Sequence, residues 1–101
     1  MIDIRSKKEL DNFMKASKRC VLSFHGMNCT PCKFQERELL QLEKLVDVPI
    51  LRIDVETNTK LSQEYGVTSI PVTMIIKNSE VQKSLIGLYK FFIIKELLEG
   101  V

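Results

Sequence analysis

Two short apolar runs, CVLSF (Cys20 to Phe24) and ILRIDV (Ile50 to Val55), bracket a stretch whose apolar residues recur with helical spacing. Runs of that length suit buried strands. At about 100° per residue, Phe34, Leu39, Leu42, Leu45 and Val46 fall on one broad face between them, with Leu40 off it. Asp47 and Pro49 then end the helix. Strand, helix and strand joined this tightly can only be a right-handed parallel βαβ unit. The rest of the chain has to be built around a sheet whose central strands are covered by helices.

The flanking segments extend that unit. IDI (Ile2 to Ile4) suits an edge strand, and Ser6 with Glu9 matches a capping box opening a helix from Lys7 to about Ser17, with Leu10, Phe13 and Met14 inward. Thr59 to Tyr65 forms a short helix with Gly66 placed as its C′ residue. VTMII and VQKSLI flank KNSE as an antiparallel hairpin. Asn78 tolerates positive φ, but Ser79 is a poor second residue for a type I′ turn, so a bulged loop is expected there. Lys90 to Glu99 closes the chain as a helix with Phe91, Ile94, Leu97 and Leu98 inward and Phe92 on its polar side. From CVLSF onward the order βαβαββα implies an α/β fold, a central mixed sheet flanked by helices on both faces. The 101 residues show no linker or repeat and read as a single domain, 1–101.

Composition narrows the function classes. A net charge of +2 is too small to imply a nucleic-acid partner, and the pairs Lys7-Lys8 and Lys18-Arg19 read as solvated surface. FFII is far too short to span a bilayer, so no membrane partner is expected. MIDIRSKKEL lacks the apolar stretch of a secretory signal. Three cysteines is an odd count that argues against a secreted disulfide framework. A soluble protein in the reducing cytoplasm is expected, where a C-x-x-C pair is catalytic or metal-binding rather than structural.

That pair is Cys29 and Cys32, in GMNCTPCKF, directly after the first apolar run. Residues three apart in a first helical turn lie within the reach of a disulfide. Unpaired N–H groups and the partial positive charge of a helix start favour the Cys29 thiolate. Cys32, one turn deeper, then resolves the mixed disulfide that Cys29 forms with a substrate. Pro31 limits backbone freedom between them. Zinc is the competing use, with Cys20, His25, Cys29 and Cys32 as ligands. Cys20 and His25 are five apart on a strand, however, and point to opposite faces, so no metal is expected and Cys20 reads as a buried small hydrophobe.

VLSFHGMNCTPCK, LRIDVETNTKLSQEYGVTSIPV, and KNSEV with Gly87 together resemble the thioredoxin family over nearly the whole chain. The resemblance implies a thioredoxin fold and a thiol–disulfide oxidoreductase with Cys29 as nucleophile and Cys32 as resolving cysteine. It also implies Pro71 as a cis-proline facing the pair, and backbone at Ile70 that pairs with an extended substrate segment. By the same likeness the protein binds no cofactor, acts on protein disulfides as a monomer, and takes electrons from a flavin-dependent reductase of the thioredoxin-reductase type.

The departures from W-C-G-P-C are informative: Asn28 replaces the Trp and Thr30 the Gly. Ser23 stands where thioredoxins usually carry a buried Asp, and a hydroxyl cannot serve as a carboxylate base near neutral pH. His25, two residues on and so on the same strand face, stands at a usual aromatic position. Its pKa suits it to take over part of the proton transfer. Arg37 replaces a proline that often kinks this helix, so a straighter helix is expected. A glutaredoxin-like, glutathione-linked enzyme is a rival reading. It lacks support from the usual Gly-Gly motif after the proline strand, and the helix before CVLSF fits thioredoxin better. A non-enzymatic binding module on the same scaffold is disfavoured by retention of both cysteines.

Overall fold

The computed structural model describes all of residues 1–101. In chain order the elements are β1 (Ile2–Asp3), α1 (Lys7–Ala16), β2 (Arg19–His25), α2 (Thr30–Glu43), β3 (Ile50–Asp54), α3 (Thr59–Glu64), β4 (Val72–Lys77), β5 (Glu80–Ile86) and α4 (Phe91–Glu99). The strands form one sheet in the order β1-β3-β2-β4-β5. β1 and β2 pair parallel with β3, while β4 runs antiparallel to β2 and β5 to β4. This is the mixed sheet expected, with the short β1 at its edge. No helix is long and apolar enough to cross a membrane.

Side-chain alternation along β2 divides the core in two. Cys20, Leu22 and Phe24 pack with Leu10 and Met14 of α1 and Leu61 of α3. Val21 packs on the other face with Leu39 and Leu42 of α2 and Ile94 and Leu98 of α4. The odd-numbered residues of β2 therefore face α2, which puts Ser23 and His25 under the helix that begins at the cysteine pair.

Local signals explain most element ends. Ser6 Oγ accepts from the Glu9 N–H at 3.2 Å. The return arm of the box differs from expectation: Glu9 Oε1 accepts from the Arg5 N–H at 3.0 Å rather than from Ser6. Gly66 takes φ +70° just past α3, the left-handed conformation that suits glycine. α4 begins one residue later than expected, because Lys90 is its N-cap, and Phe92 is exposed as read from the sequence.

α2 corrects the expected face. Its buried residues are Cys32, Gln35, Leu39 and Leu42, whereas Phe34 and Leu45 are exposed. With Cys32 turned inward, Phe34 lies about 200° around the helix and must point out. Its ring carries the Arg37 guanidinium at 5.3 Å. α2 runs unbroken to Glu43, as the loss of a proline at Arg37 allows. The chain then tightens, with both the Leu45 and Val46 N–H groups donating to Leu42 O, so the helix stops before Asp47.

The hairpin also differs from the bulged loop expected. Asn78 (φ 52°) and Ser79 (φ 65°) form a tight two-residue turn, and the irregularity lies further back, where Ile75 and Ile76 face Lys83 and Val81 and leave Gln82 as the extra residue. Two left-handed residues match the twist of the strands they join. A serine in that conformation costs about 1 kcal/mol that glycine does not incur. Ser79→Gly should therefore raise the stability by roughly that amount, read as a higher urea midpoint at unchanged slope. A lower midpoint would contradict the turn assignment.

Candidate active site

The carboxyl end of β2 delivers the chain through a short loop into α2, and the cysteine pair sits at that junction. Cys29 is the N-cap of α2 in extended conformation, Thr30 and Pro31 open the helix, and Cys32 lies in its first turn. Proline is tolerated there because that N–H has no partner within the helix. Cys29 Sγ accepts the Cys32 N–H at 3.2 Å, which occupies one of the orphan donors of the helix start. The two cysteines are joined by a disulfide with their Cα atoms 5.2 Å apart. Cys29 is 9% exposed and Cys32 6%. Asn28, Thr30 and Pro31 around them are exposed.

A second element completes the junction. The Ile70-Pro71 peptide is cis, and Pro71 is buried immediately before β4. Gly26 lets the two loops meet: a Cβ there would lie 2.8 Å from Ile70 Cδ1, too close for any side chain unless Ile70 moved. Pro71 O accepts the Gly87 N–H at 2.9 Å, tying the end of the hairpin to the same place.

Behind the pair lies a polar cleft of about 260 Å³ lined by His25, Cys32, Glu36, Arg52 and Asp54 among others. His25 is half-buried and in register with Asp54, as Ser23 is with Arg52. Arg52 Nη1 lies 3.5 Å from both Asp3 Oδ1 and Glu36 Oε1. Burial lowers the His25 pKa below its ordinary value, and the Arg52 guanidinium acts the same way against the raising pull of Asp54, Asp3 and Glu36. His25 is therefore neutral at pH 7 and able to accept a proton. Ser23 is buried opposite Thr73, whose Oγ1 has no hydrogen-bond partner within the protein.

His25, Cys29, Cys32 and Ser23 thus gather on the α2 side of the sheet, with Ile70 and Pro71 at the adjoining loop. Cys20 does not join them. It is fully buried in the opposite core cluster, where desolvation pushes its thiol up to about 11 and leaves it inert. That separates it from the other three residues of the conceivable zinc set. Sequence reading missed Gly26, Gln35, Glu36, Arg52 and Asp54. The spacing of Gln35 from Cys32 and Leu39, three and four residues, was the available signal for an inward position.

Comparison with known proteins agrees with this geometry. The family model described as Thioredoxin matches residues 2–99. The chain is 30% identical over 102 residues to a thioredoxin of Mycoplasmoides gallisepticum, covering 98% of this chain and 100% of that one. It is 28% identical over 86 residues to a thioredoxin of Mycoplasma genitalium, covering 84% of each. Among solved structures, a mutant thioredoxin from Halobacterium salinarum superposes with a TM-score of 0.94 at 25% identity, over 98% of this chain and 88% of that one.

Proposed function

Since the chain belongs to the thioredoxin family and is a thiol–disulfide oxidoreductase acting on protein disulfides, we propose that Cys29 is its nucleophile, Cys32 its resolving thiol and His25 the group that takes the Cys32 proton. The observation that carries this reading is the place of Cys29: at the helix start, its sulfur accepts the Cys32 N–H. A thiolate there gains a charge-assisted hydrogen bond and the favourable end of the helix dipole.

The Cys29 thiolate attacks one sulfur of the substrate disulfide. A Cys29–substrate disulfide forms, and the displaced substrate sulfur leaves as a thiolate that takes a proton from solvent. Cys32 gives its proton to the neutral His25 imidazole and attacks Cys29 sulfur, forming the Cys29–Cys32 disulfide and releasing the second substrate thiolate, which is protonated in turn. The substrate gains two electrons from the pair and one proton on each sulfur from solvent, while the one proton the pair gives up, that of Cys32, passes to His25. A flavin-dependent reductase of the thioredoxin-reductase type then restores the dithiol. Asn28, Thr30 and Pro31 form the exposed rim around the pair, and Ile70 beside cis-Pro71 offers backbone to an extended substrate segment. The protein acts as a cytoplasmic monomer in this reading. With dithiothreitol as donor, it should accelerate reduction of insulin's interchain disulfides well above dithiothreitol alone, and no acceleration would contradict the assignment.

His25 has its own test. A positioned general base typically contributes about 100-fold or more to a step that moves a proton. His25→Gln should lower kcat at pH 7 by about that factor. Because the folded-state pKa is depressed, the basic imidazole is fully present above the ordinary value and is lost as pH falls through the depressed one. Activity should show that acid limb in the wild type and lose it in His25→Gln. Superimposable pH profiles would remove His25 from the mechanism.

A further inference from the structure

Gln35 is the only amide side chain among the buried polar residues, 1% exposed and one turn beyond Cys32. Its Nε2 donates to Tyr89 O at 2.9 Å, and its Oε1 accepts from the Tyr89 N–H at 2.8 Å. One side chain thus satisfies both backbone groups of a single loop residue. One turn further along α2, Glu38 Oε1 accepts from the Phe91 N–H at 2.9 Å. Lys90, the N-cap of α4, makes no side-chain cap of its own, so Glu38 caps that helix from α2.

The segment held this way leads directly to the cis-proline. Ile86 faces Val72 across the hairpin, and the Gly87 N–H donates to Pro71 O at 2.9 Å. Ile86 and Leu88, on either side of Gly87, are apolar yet 67% and 49% exposed. Residues 86–91 are therefore suspended between Pro71 on one side and the cysteine-bearing helix on the other.

We propose that Gln35 is a positioning residue for the substrate: through its double hydrogen bond to Tyr89 it fixes Ile86–Leu88 as an exposed apolar wall beside cis-Pro71, against which an extended, apolar, disulfide-bearing protein segment lies. This rests on the reading of Cys29 and Pro71 as substrate-facing. Burying an amide is unfavourable unless both of its ends are paired, and an apolar residue at position 35 would fill the same space. Such a residue would orphan the Tyr89 N–H and C=O, which would then turn toward water and carry the wall with them. Both polar ends of Gln35 are spent on Tyr89 and neither bonds a reacting sulfur, so binding should change and thiol reactivity should not.

The test compares Gln35→Met, which removes both hydrogen bonds at similar length, with the wild type in two assays: steady-state reduction of insulin disulfides, and alkylation of Cys29 by iodoacetamide. KM for insulin should rise at least threefold, with kcat and the alkylation rate within twofold. A KM change below threefold, or a loss of alkylation rate beyond twofold, overturns the proposal, the latter by showing an effect on the thiol itself. Gln35→Glu keeps the acceptor and loses the donor, and it decides by the same thresholds if Gln35→Met does not fold. A wild type inert toward insulin overturns the functional reading and this proposal together. An active wild type with an insensitive Gln35 overturns this proposal alone.

Discussion

Cys32→Ser should stop turnover with the substrate still covalently attached through Cys29, while Cys29→Ser should give neither turnover nor adduct. Both variants lose protein-disulfide reduction by about 10³-fold or more, because each removes a sulfur the exchange cannot do without. The asymmetry of the adducts distinguishes the roles. Cys29 at the helix start attacks first, and Cys32 is required only to release the product. Non-reducing electrophoresis followed by peptide mass mapping reads the outcome. An adduct trapped in Cys29→Ser instead would reverse the assignment.

The second large effect is structural. Phe24 is fully buried on the α1–α3 side of β2, with its ring 5.8 Å from that of Tyr65. Phe24→Ala should destabilise the protein by about 3–5 kcal/mol, combining lost transfer free energy with the cavity left behind. Against a typical total of about 5–15 kcal/mol, that is enough to populate the unfolded state near physiological temperature. Urea denaturation should show the midpoint falling steeply with little change in slope. A loss below about 1 kcal/mol would mean that the sheet repacks around the gap, contrary to the tight core described. Because Phe24 immediately precedes His25, the variant should also loosen the strand end that carries the cleft.

The features legible in the sequence were those set by local chemistry and period. The apolar runs became β2 and β3, Ser6 capped α1, and Gly66 ended α3 in the left-handed region. The cysteine pair with its proline marked the start of α2, and period-two alternation put Ser23 and His25 on one face and Cys20 on the other. What could not be read depended on partners distant in sequence. Phe34 looked inward until Cys32 and Gln35 fixed the rotation of α2, and Gln35 is buried only because Tyr89, 54 residues away, uses both its polar ends. Ser79 adopted positive φ because the strand twist demanded it, against its own preference. Arg52, Asp54 and Glu36 surround His25 through the parallel pairing of β2 with β3 and the lie of α2, which no short motif encodes.

Everything functional follows from a thiolate stabilised at the start of α2, so the pH dependence of Cys29 alkylation in the reduced protein is the most direct measurement. Stopped reactions with iodoacetamide, mapped by mass spectrometry, should place the Cys29 transition well below the value of about 8.5 for a free cysteine. At pH 7, Cys29 should also react many times faster than the same segment as an unfolded peptide. Equal rates in protein and peptide, with a transition near that of a free thiol, would contradict the role assigned to the helix start and the exchange chemistry built on it.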